Sequence, residues 1–513
     1  MRRRIGIDVG GTNTDAVLLE GDCVLHAVKT PTTADVMTGV RLALAGVAPA
    51  VGPEGVQAVM IGTTHFVNAV VQRRDLSRVA ALRIGLPAAR SLPPFCDWPA
   101  DLAAMVRGQV HMVEGGHDFD GRPIMPLDES AVAAAARAIR LAGIGCVAIA
   151  AIFSPLDPSM EARAAAILRQ ELPDASITLS RDLGRIGLLE RENVALMNAA
   201  LTGLAGKTVA AFEQALAEAG VTAPLFVTQN DGTVIRADLA ARFPVLSFAS
   251  GPTNSMRGAA FLTGVKDALV VDVGGTTSDV GALRAGFPRE ANAVVQVGGV
   301  RTLFRMPDLH SFGLGGGSHV RRGGDGRIRI GPDSVGFRLP ERARIFGGPD
   351  LTTSDVAVAA GLLALGDAAR VAGLDAEFVA AALAEAARML EESVDRMKTD
   401  AAAVPLLAVG GGAFLVPDRL PGISAVLRPA HAAVANAVGA AIAQVSGEAD
   451  QVFQGLSRLA AMAEAERIAR DRAVESGADR ATLALVDIED LPLAYLPGGA
   501  LRVRARVVGE IAA

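Results

Sequence analysis

Two periods organise the apolar positions of this chain. From Arg4 to Leu19, Ile5, Ile7 and Val9 alternate with other residues, a Gly-Gly pair follows, and Val17 and Leu18 resume the apolar pattern, which predicts a strand, a turn and a second strand. Leu269 to Leu283 repeats this, with Val280 and Ala282 after the turn. The repeat is one copy in each half, not a short solenoid period. Between the copies, helical spacing over Ser130 to Leu141 and Pro158 to Leu172 brackets a buried strand at Val147 to Phe153. Such alternation predicts an α/β architecture. A long helical section, Asn193 to Ala219, leads to the strand Pro224 to Thr228. Farther on, a strand over Val404 to Val409 feeds Gly410-Gly411-Gly412, and His431 to Val445 reads as a small-residue helix. Asp450 to Ala513 reads as a helix followed by a few strands, with a boundary near Gly447.

Length and composition narrow the class. At 513 residues the chain fits two or three domains with a large buried interior. Its mean hydropathy of +0.35 is high, yet apolar runs such as Cys146 to Phe153 have only strand length, so no membrane association is expected. Arg2 to Arg4 imitate the start of a signal peptide, but Asp8, Asn13 and Asp15 interrupt the stretch that should be apolar. Cys23, Cys96 and Cys146 are odd in number, far apart and without a Cys-x-x-Cys pair. Neither a disulfide framework nor a thiolate metal site is expected, and a cytoplasmic location is the default. A net charge of −6, arginines scattered along the chain, one Trp and one Tyr argue against nucleic acid as a partner.

The two turns carry the first candidate chemistry. They read Asp8-Val9-Gly10-Gly11-Thr12-Asn13-Thr14-Asp15 and Asp272-Val273-Gly274-Gly275-Thr276-Thr277-Ser278-Asp279. Glycine has no side chain and adopts positive φ, so a Gly-Gly-Thr turn lets backbone amides approach phosphate oxygens. The hydroxyls of Thr12, Thr14, Thr276 and Thr277 add donors. Asp8 and Asp272, acceptor-only carboxylates at strand ends, suit a water-coordinated Mg²⁺ beside a polyphosphate. One Gly-Gly turn closes many ordinary hairpins; two near-identical copies in separate halves point to a shared ligand. Gly410, Gly411 and Gly412 offer backbone that can pack flat against a base or ribose, though a tight strand-to-helix turn has the same spelling. Phosphate turn, phosphate turn and nucleoside turn, in that order, resemble the actin, sugar-kinase and heat-shock chaperone superfamily. There, two related α/β domains of ribonuclease H-like fold close over ATP. The candidate nucleotide contacts are thus Gly10 to Thr14, Gly274 to Thr277 and Gly410 to Gly412. Gly203 to Thr208 imitates a Walker A loop but has Leu201 where its first glycine belongs. Gly313 to Ser318 lacks the third glycine of a dinucleotide fingerprint.

Further motifs follow in order: Gly62-Thr63-Thr64 with Asn68-Ala69; Glu190-Arg191-Glu192-Asn193 with Asn198-Ala199; Ser250-Gly251-Pro252; Asp308-Leu309-His310 through Gly315-Gly316-Gly317-Ser318; Gly331 to Gly336; and Thr352-Thr353-Ser354-Asp355. With the two turns they resemble the hydantoinase A and 5-oxoprolinase family, from about Arg4 to Gly447. The resemblance implies an N-terminal region over 1–200, a core with the second phosphate turn over 201–447, and a short C-terminal α+β segment over 448–513. It implies an ATP-dependent amidohydrolase that uses Mg²⁺ and opens a cyclic amide such as a hydantoin, an oxoproline-like lactam or a thiohydantoin. Larger members act with a hydantoinase B type subunit, so a partner of that or another amidohydrolase type, and an oligomer, are expected.

The resemblance also draws attention to single residues. Asp308 and His310, two apart on a strand, project to one face and can bind substrate, a metal or a proton in flight, or can brace the glycine loop that follows. Thr64, Asn68, Arg191 and Asn193 are substrate candidates; the amides and guanidinium can orient a planar amide, and Arg191 suits a capping or interdomain role equally. His65, His117 and His319 have no metal spacing. Phe337 to Arg342 departs from the family's Pro-Gly-Pro-Ala-Cys-Tyr-like stretch, as Gln229 to Thr233 does from Ser-Asn-Gly-Gly. Two other classes compete: a small-molecule kinase, and a non-catalytic ATP-driven activator. Isolated cysteines argue against the activators that share an iron–sulfur cluster.

Overall fold

A computed structural model describes residues 3–32, 36–52, 55–183, 186–291, 295–303, 306–493 and 499–512. Arg2, Ala513 and the single tyrosine, Tyr495, lie outside them. β1 (Arg3–Val9), β2 (Asn13–Glu20) and β3 (Cys23–Pro31) form an antiparallel meander, and β4 (Ala58–Thr63) joins β1 in parallel. Ile5, Ile7 and Val9 face one side, where they pack with Leu44 and Phe212 from the helices Val36–Val47 and Leu188–Glu218. Gly6 and Asp8 face the other, and there the helix Ala435–Ala441 lies directly on the strand: a Cβ on Gly6 would sit 2.1 Å from Ala437 O.

A separate parallel sheet follows β4. Its strands β5 (Val79–Leu86), β6 (Arg107–Glu114), β7 (Cys146–Ala151) and β8 (Ser176–Leu179) run in the order 6-5-7-8. The helices Glu129–Leu141 and Ser159–Glu171 cover it with Val132, Ile139, Ala164 and Leu168. The 31-residue helix Leu188–Glu218, the one described helix long and apolar enough to cross a membrane, is instead mostly buried against this sheet and the first. The expected division at 200 falls inside it. The chain then returns to the first sheet as β9 (Leu225–Thr228), parallel to β4, and β10 (Val234–Arg236).

The second half repeats the first. β11 (Ala268–Val273), β12 (Ser278–Arg284) and β13 (Phe287–Pro288) form a meander; after the hairpin β14 (Val295–Val297) and β15 (Val300–Thr302), β16 (Leu309–Phe312) pairs with β12. β17 (Ser318–Arg322) and β18 (Ile328–Ser334) make a further hairpin, and β19 (Val404–Val409) and β20 (Ile423–Leu427) add in parallel to β11. The order 3-2-1-4-9 in one half matches 13-12-11-19-20 in the other. This duplicated topology is the ribonuclease H-like, actin-like arrangement expected from the turns. Between the two sheets cross the helices Ser250–Thr263 and Ala435–Ala441.

Two readings of the tail need correction. Helix within His431 to Val445 is confined to a 3-10 turn, Ala432–Val434, and the α-helix Ala435–Ala441, because Val445 already begins β21 (Val445–Phe453). Gly447 lies inside that strand and marks no boundary. It is a point of close approach, where a Cβ would stand 2.1 Å from Ala469 O on the helix Arg458–Glu475. With β22 (Ala484–Pro492) and β23 (Leu501–Gly509), β21 extends the first sheet to nine strands. The alanine stripe Ala461, Ala465, Ala469 and Ala473, spaced by one helical turn, seats the helix on it.

Candidate functional site

Hairpin register turns each Asp-x-Gly-Gly-Thr phrase into a pair of carboxylates. In the first half Asp8 lies across from Asp15, and Asp15 across from Lys29; in the second, Asp272 lies across from Asp279, and Asp279 across from Ser311. Cross-strand partners share a face, so each row points toward the two crossing helices. Asp8 receives Asn436 Nδ2 at 3.0 Å and, in a longer contact of 3.4 Å, Asn254 Nδ2. Ser255 Oγ donates to Asp272 Oδ2 at 2.5 Å, and Ser311 Oγ donates to Asp279. Burial pushes the Asp8 carboxyl up to about 7, with the Asp15 charge adding to the rise. Asp279 is pushed up to about 6 by burial, and Asp272 is raised for the same reason. Both leading carboxylates are overlain by glycine. A Cβ on Gly62 would lie 2.6 Å from Asp8 Oδ1, and one on Gly410 would lie 2.2 Å from Asp272 Oδ1.

The turns themselves face each other. A Cβ on Gly275 would lie 2.7 Å from Thr12 Oγ1. Gly313 to Ser318, no dinucleotide loop, props the second turn from behind: Gly316 N donates to Gly274 O at 3.0 Å and Gly317 N to Gly275 O at 2.7 Å. In a trans peptide the C=O and N–H point in opposite directions. Those two bonds therefore aim the Gly275 and Thr276 amides away from the loop. Thr32 Oγ1 does the same in the first turn by donating to Gly10 O at 2.9 Å, which turns out the Gly11 amide. Among the described residues the amides of Gly11, Thr12, Gly275 and Thr276 donate no hydrogen bond, so two sets of amides are left for an anion. Thr14 is not among the outward donors, since its buried hydroxyl meets Thr32 Oγ1 at 3.3 Å. The backbones of Asn13 and Thr277 close the turns by accepting from Gly10 N and Gly274 N. The third glycine cluster is pinned beside them: Gly412 N donates to Val273 O at 2.7 Å.

The carboxylate rows fit a magnesium ion held mainly through water. Magnesium takes oxygen ligands and keeps several waters, so carboxylates at two strand ends are donors of the right kind for it. Asn254 Oδ1, buried beside Asp8 and without a partner, is an acceptor for such a water.

Not every candidate residue gathers here. Thr64 and Asn68 do: half-buried at the start of the helix His65–Gln72, just past the carboxyl end of β4, they are joined by Asn68 Nδ2 donating to Thr64 Oγ1 at 3.2 Å. Asp308 and His310 do not. His310 is paired with Val280, whose face packs on the helix Ala376–Met397, and it stacks on Phe312, while Asp308 accepts from Arg289 at 2.8 and 3.0 Å. The period of two that put them on one face put that face opposite the one carrying Asp279 and Ser311. Arg191 and Asn193 are buried in the framework. The Arg191 guanidinium donates to Ser180 Oγ and to carbonyls of Ala151, Ile186 and Gly187 beside the buried Arg83–Glu192 pair, and burial lowers it to about 10. Asn193 is held by Trp98 Nε1, Asp97 and Arg301 O.

Substitutions separate the two groups. Asp308→Asn and His310→Ala are expected to leave ATP turnover within about twofold of the parent, whereas Arg191→Met lowers stability by roughly 3 kcal/mol or more with nucleotide affinity intact. Turnover assays and denaturant midpoints check both; a large turnover loss in Asp308→Asn at unchanged midpoint would contradict the assignment. Asp15 and Asp279 were readable in the repeated phrase, whose last residue is fixed opposite its first by the hairpin. Asn254 and Asn436 carried no such signal.

The chain is similar to known proteins over much of its length. The hydantoinase/oxoprolinase N-terminal region matches residues 4–172 and the hydantoinase/oxoprolinase domain residues 191–369. Caprolactamase subunit alpha of Pseudomonas jessenii is 26% identical over 386 residues, covering 71% of this chain and 55% of that protein. Acetophenone carboxylase gamma subunit of Aromatoleum aromaticum is 26% identical over 403 residues, covering 70% of this chain and 53% of its own. The chain thus spans about half the length of these relatives. The crystal structure of ATP-dependent caprolactamase from Pseudomonas jessenii superposes with a TM-score of 0.77 at 20% identity, over 99% of this chain and 88% of that one, which establishes the shared fold. With its two regions accounting for most of the sequence from 4 to 369, the chain belongs to the hydantoinase/oxoprolinase family.

Proposed function

We propose that this protein is an ATP-dependent enzyme, or the ATPase subunit of one, that phosphorylates the carbonyl oxygen of a cyclic amide so that its ring can be opened. The observation that carries this reading is the pair of facing turns, whose undonated amides come from opposite halves and lie beside two rows of carboxylates. An amide carbonyl is a poor electrophile. Transfer of the γ-phosphoryl group to its oxygen breaks the terminal P–O bond, releases ADP and leaves a carbon open to water. One water adds there and the ring C–N bond breaks, its nitrogen taking up a proton and leaving an acyl phosphate, and a second water then displaces phosphate from that carbon to give the carboxylate. Such transfer needs positioning and charge neutralisation more than covalent catalysis by the protein. Gly11, Thr12, Gly275 and Thr276 would hold phosphate oxygens by their amides. Mg²⁺, held through water at Asp8 and Asp272, would supply the compensating charge. Thr64 and Asn68, beside β1 at the carboxyl edge of the sheet, would orient the amide.

A relative named as a carboxylase subunit favours a second reading, in which the carbonyl belongs to a ketone. Relatives that are subunits also support a requirement for a partner protein. Phosphate release from ATP, measured with hydantoins, lactams and thiohydantoins and with ketones plus bicarbonate, distinguishes these readings, with and without a co-encoded partner. Stimulation by a cyclic amide supports the first. Stimulation by none of them, or a stable phosphoester in the phosphorus NMR spectrum, sinks it.

A further inference from the structure

Lys29 extends the first carboxylate row across a third strand. Its ammonium donates to Asp15 Oδ1 and Oδ2 at 2.6 and 2.8 Å, and to Ala433 O at 3.1 Å. Ala433 precedes the helix Ala435–Ala441, and a Cβ on Gly411 would lie 3.8 Å from Lys29 Cε. The side chain therefore starts in the first half and ends beside the third glycine turn. Asp15 is 3% exposed and the lysine 33%, so the pair is buried at its acidic end and open at its basic one.

Charge makes this position matter. Asp8, Asp15, Asp272 and Asp279 set four carboxylates beside the two turns, and a bound polyphosphate adds more negative charge there. The Lys29 ammonium is set against this negative charge, with two of its donors on Asp15 and the third on the backbone before the helix Ala435–Ala441. In the second row the corresponding place is taken by Ser311, which carries no charge. Residue type is informative as well. Only four of the 49 basic residues are lysines, so a chain that otherwise uses arginine places a compact ammonium here. Three donors on one atom fit two carboxylate oxygens and a third acceptor, where a planar guanidinium fork would not.

From this placement we propose that Lys29 donates to the polyphosphate of the bound nucleotide, exchanging its exposed contact with Ala433 O for a phosphate oxygen while Asp15 holds it in position. The assignment rests on the ATP reading above. Asp15 is then a positioning residue.

Calorimetric titration of the full chain with Mg·ATP and with adenosine tests it, using the parent, K29M and K29M/D15N. The double variant removes both charges together and so carries the test even if K29M alone folds poorly. The expected result is a loss of Mg·ATP affinity of roughly tenfold or more in both variants, with adenosine affinity unchanged. Parent-like Mg·ATP affinity in K29M/D15N overturns the proposal, because Lys29 then only neutralises Asp15. A parent that does not bind Mg·ATP overturns the ATP reading itself and this assignment with it.

Discussion

Asp8→Ala and Asp272→Ala are each expected to lower ATP turnover by roughly a thousandfold or more. Each carboxylate sits at a strand end with glycine over it and one or two side-chain donors holding it, Asn254 and Asn436 for Asp8 and Ser255 for Asp272. Such fixed groups are the ones whose removal cannot be repaired by a neighbour. Asn in either position keeps the size and loses the charge, so a comparable loss in the Asn variants assigns the effect to charge. Steady-state phosphate release, with magnesium varied, is the measurement. Parent-like turnover in either alanine variant would remove that carboxylate from the mechanism.

The second large effect falls on the crossing helices. A Cβ on Gly258 would stand 1.8 Å from Ala435 O, and one on Gly439 would stand 1.8 Å from Asn254 O. Both clashes are with backbone, which cannot rotate aside, so the helices Ser250–Thr263 and Ala435–Ala441 would have to separate. Gly258→Ala or Gly439→Ala is expected to cost about 3 kcal/mol, read as a shift in denaturant midpoint. Since Asn254 and Asn436 ride on these helices, Mg·ATP affinity should fall as well. The double variant should lose less than the sum of the single losses, because one separation relieves both clashes. Midpoints equal to the parent's would show that the contact is looser than described.

The duplicated fold was legible because its signal is local. A Gly-Gly turn between short apolar strands writes the hairpin, and two such phrases write the duplication. Hairpin register then carries the aspartates at both ends of each phrase into the site. Other residues depend on where a strand's neighbours lie. Asp308 and His310 share a face as their spacing says, but only the pairing of β16 with β12 decides that Ser311 joins Asp279 and His310 faces the helix Ala376–Met397. Arg191 and Asn193 look like recognition residues in sequence, yet they close a buried polar network around Glu192 and Trp98. For the tail, Gly447 read as a break because glycine often ends elements. Here it permits a helix to lie on a strand.

Carbonyl activation requires that the γ-phosphoryl group pass to the carbonyl oxygen. An isotope experiment tests it most directly. A cyclic amide that stimulates phosphate release is prepared with ¹⁸O in its carbonyl and turned over with unlabelled ATP in unlabelled water, and the inorganic phosphate is examined by mass spectrometry. The carbonyl ¹⁸O is expected to appear in the phosphate. Phosphate free of the label, formed while the ring opens, would contradict it.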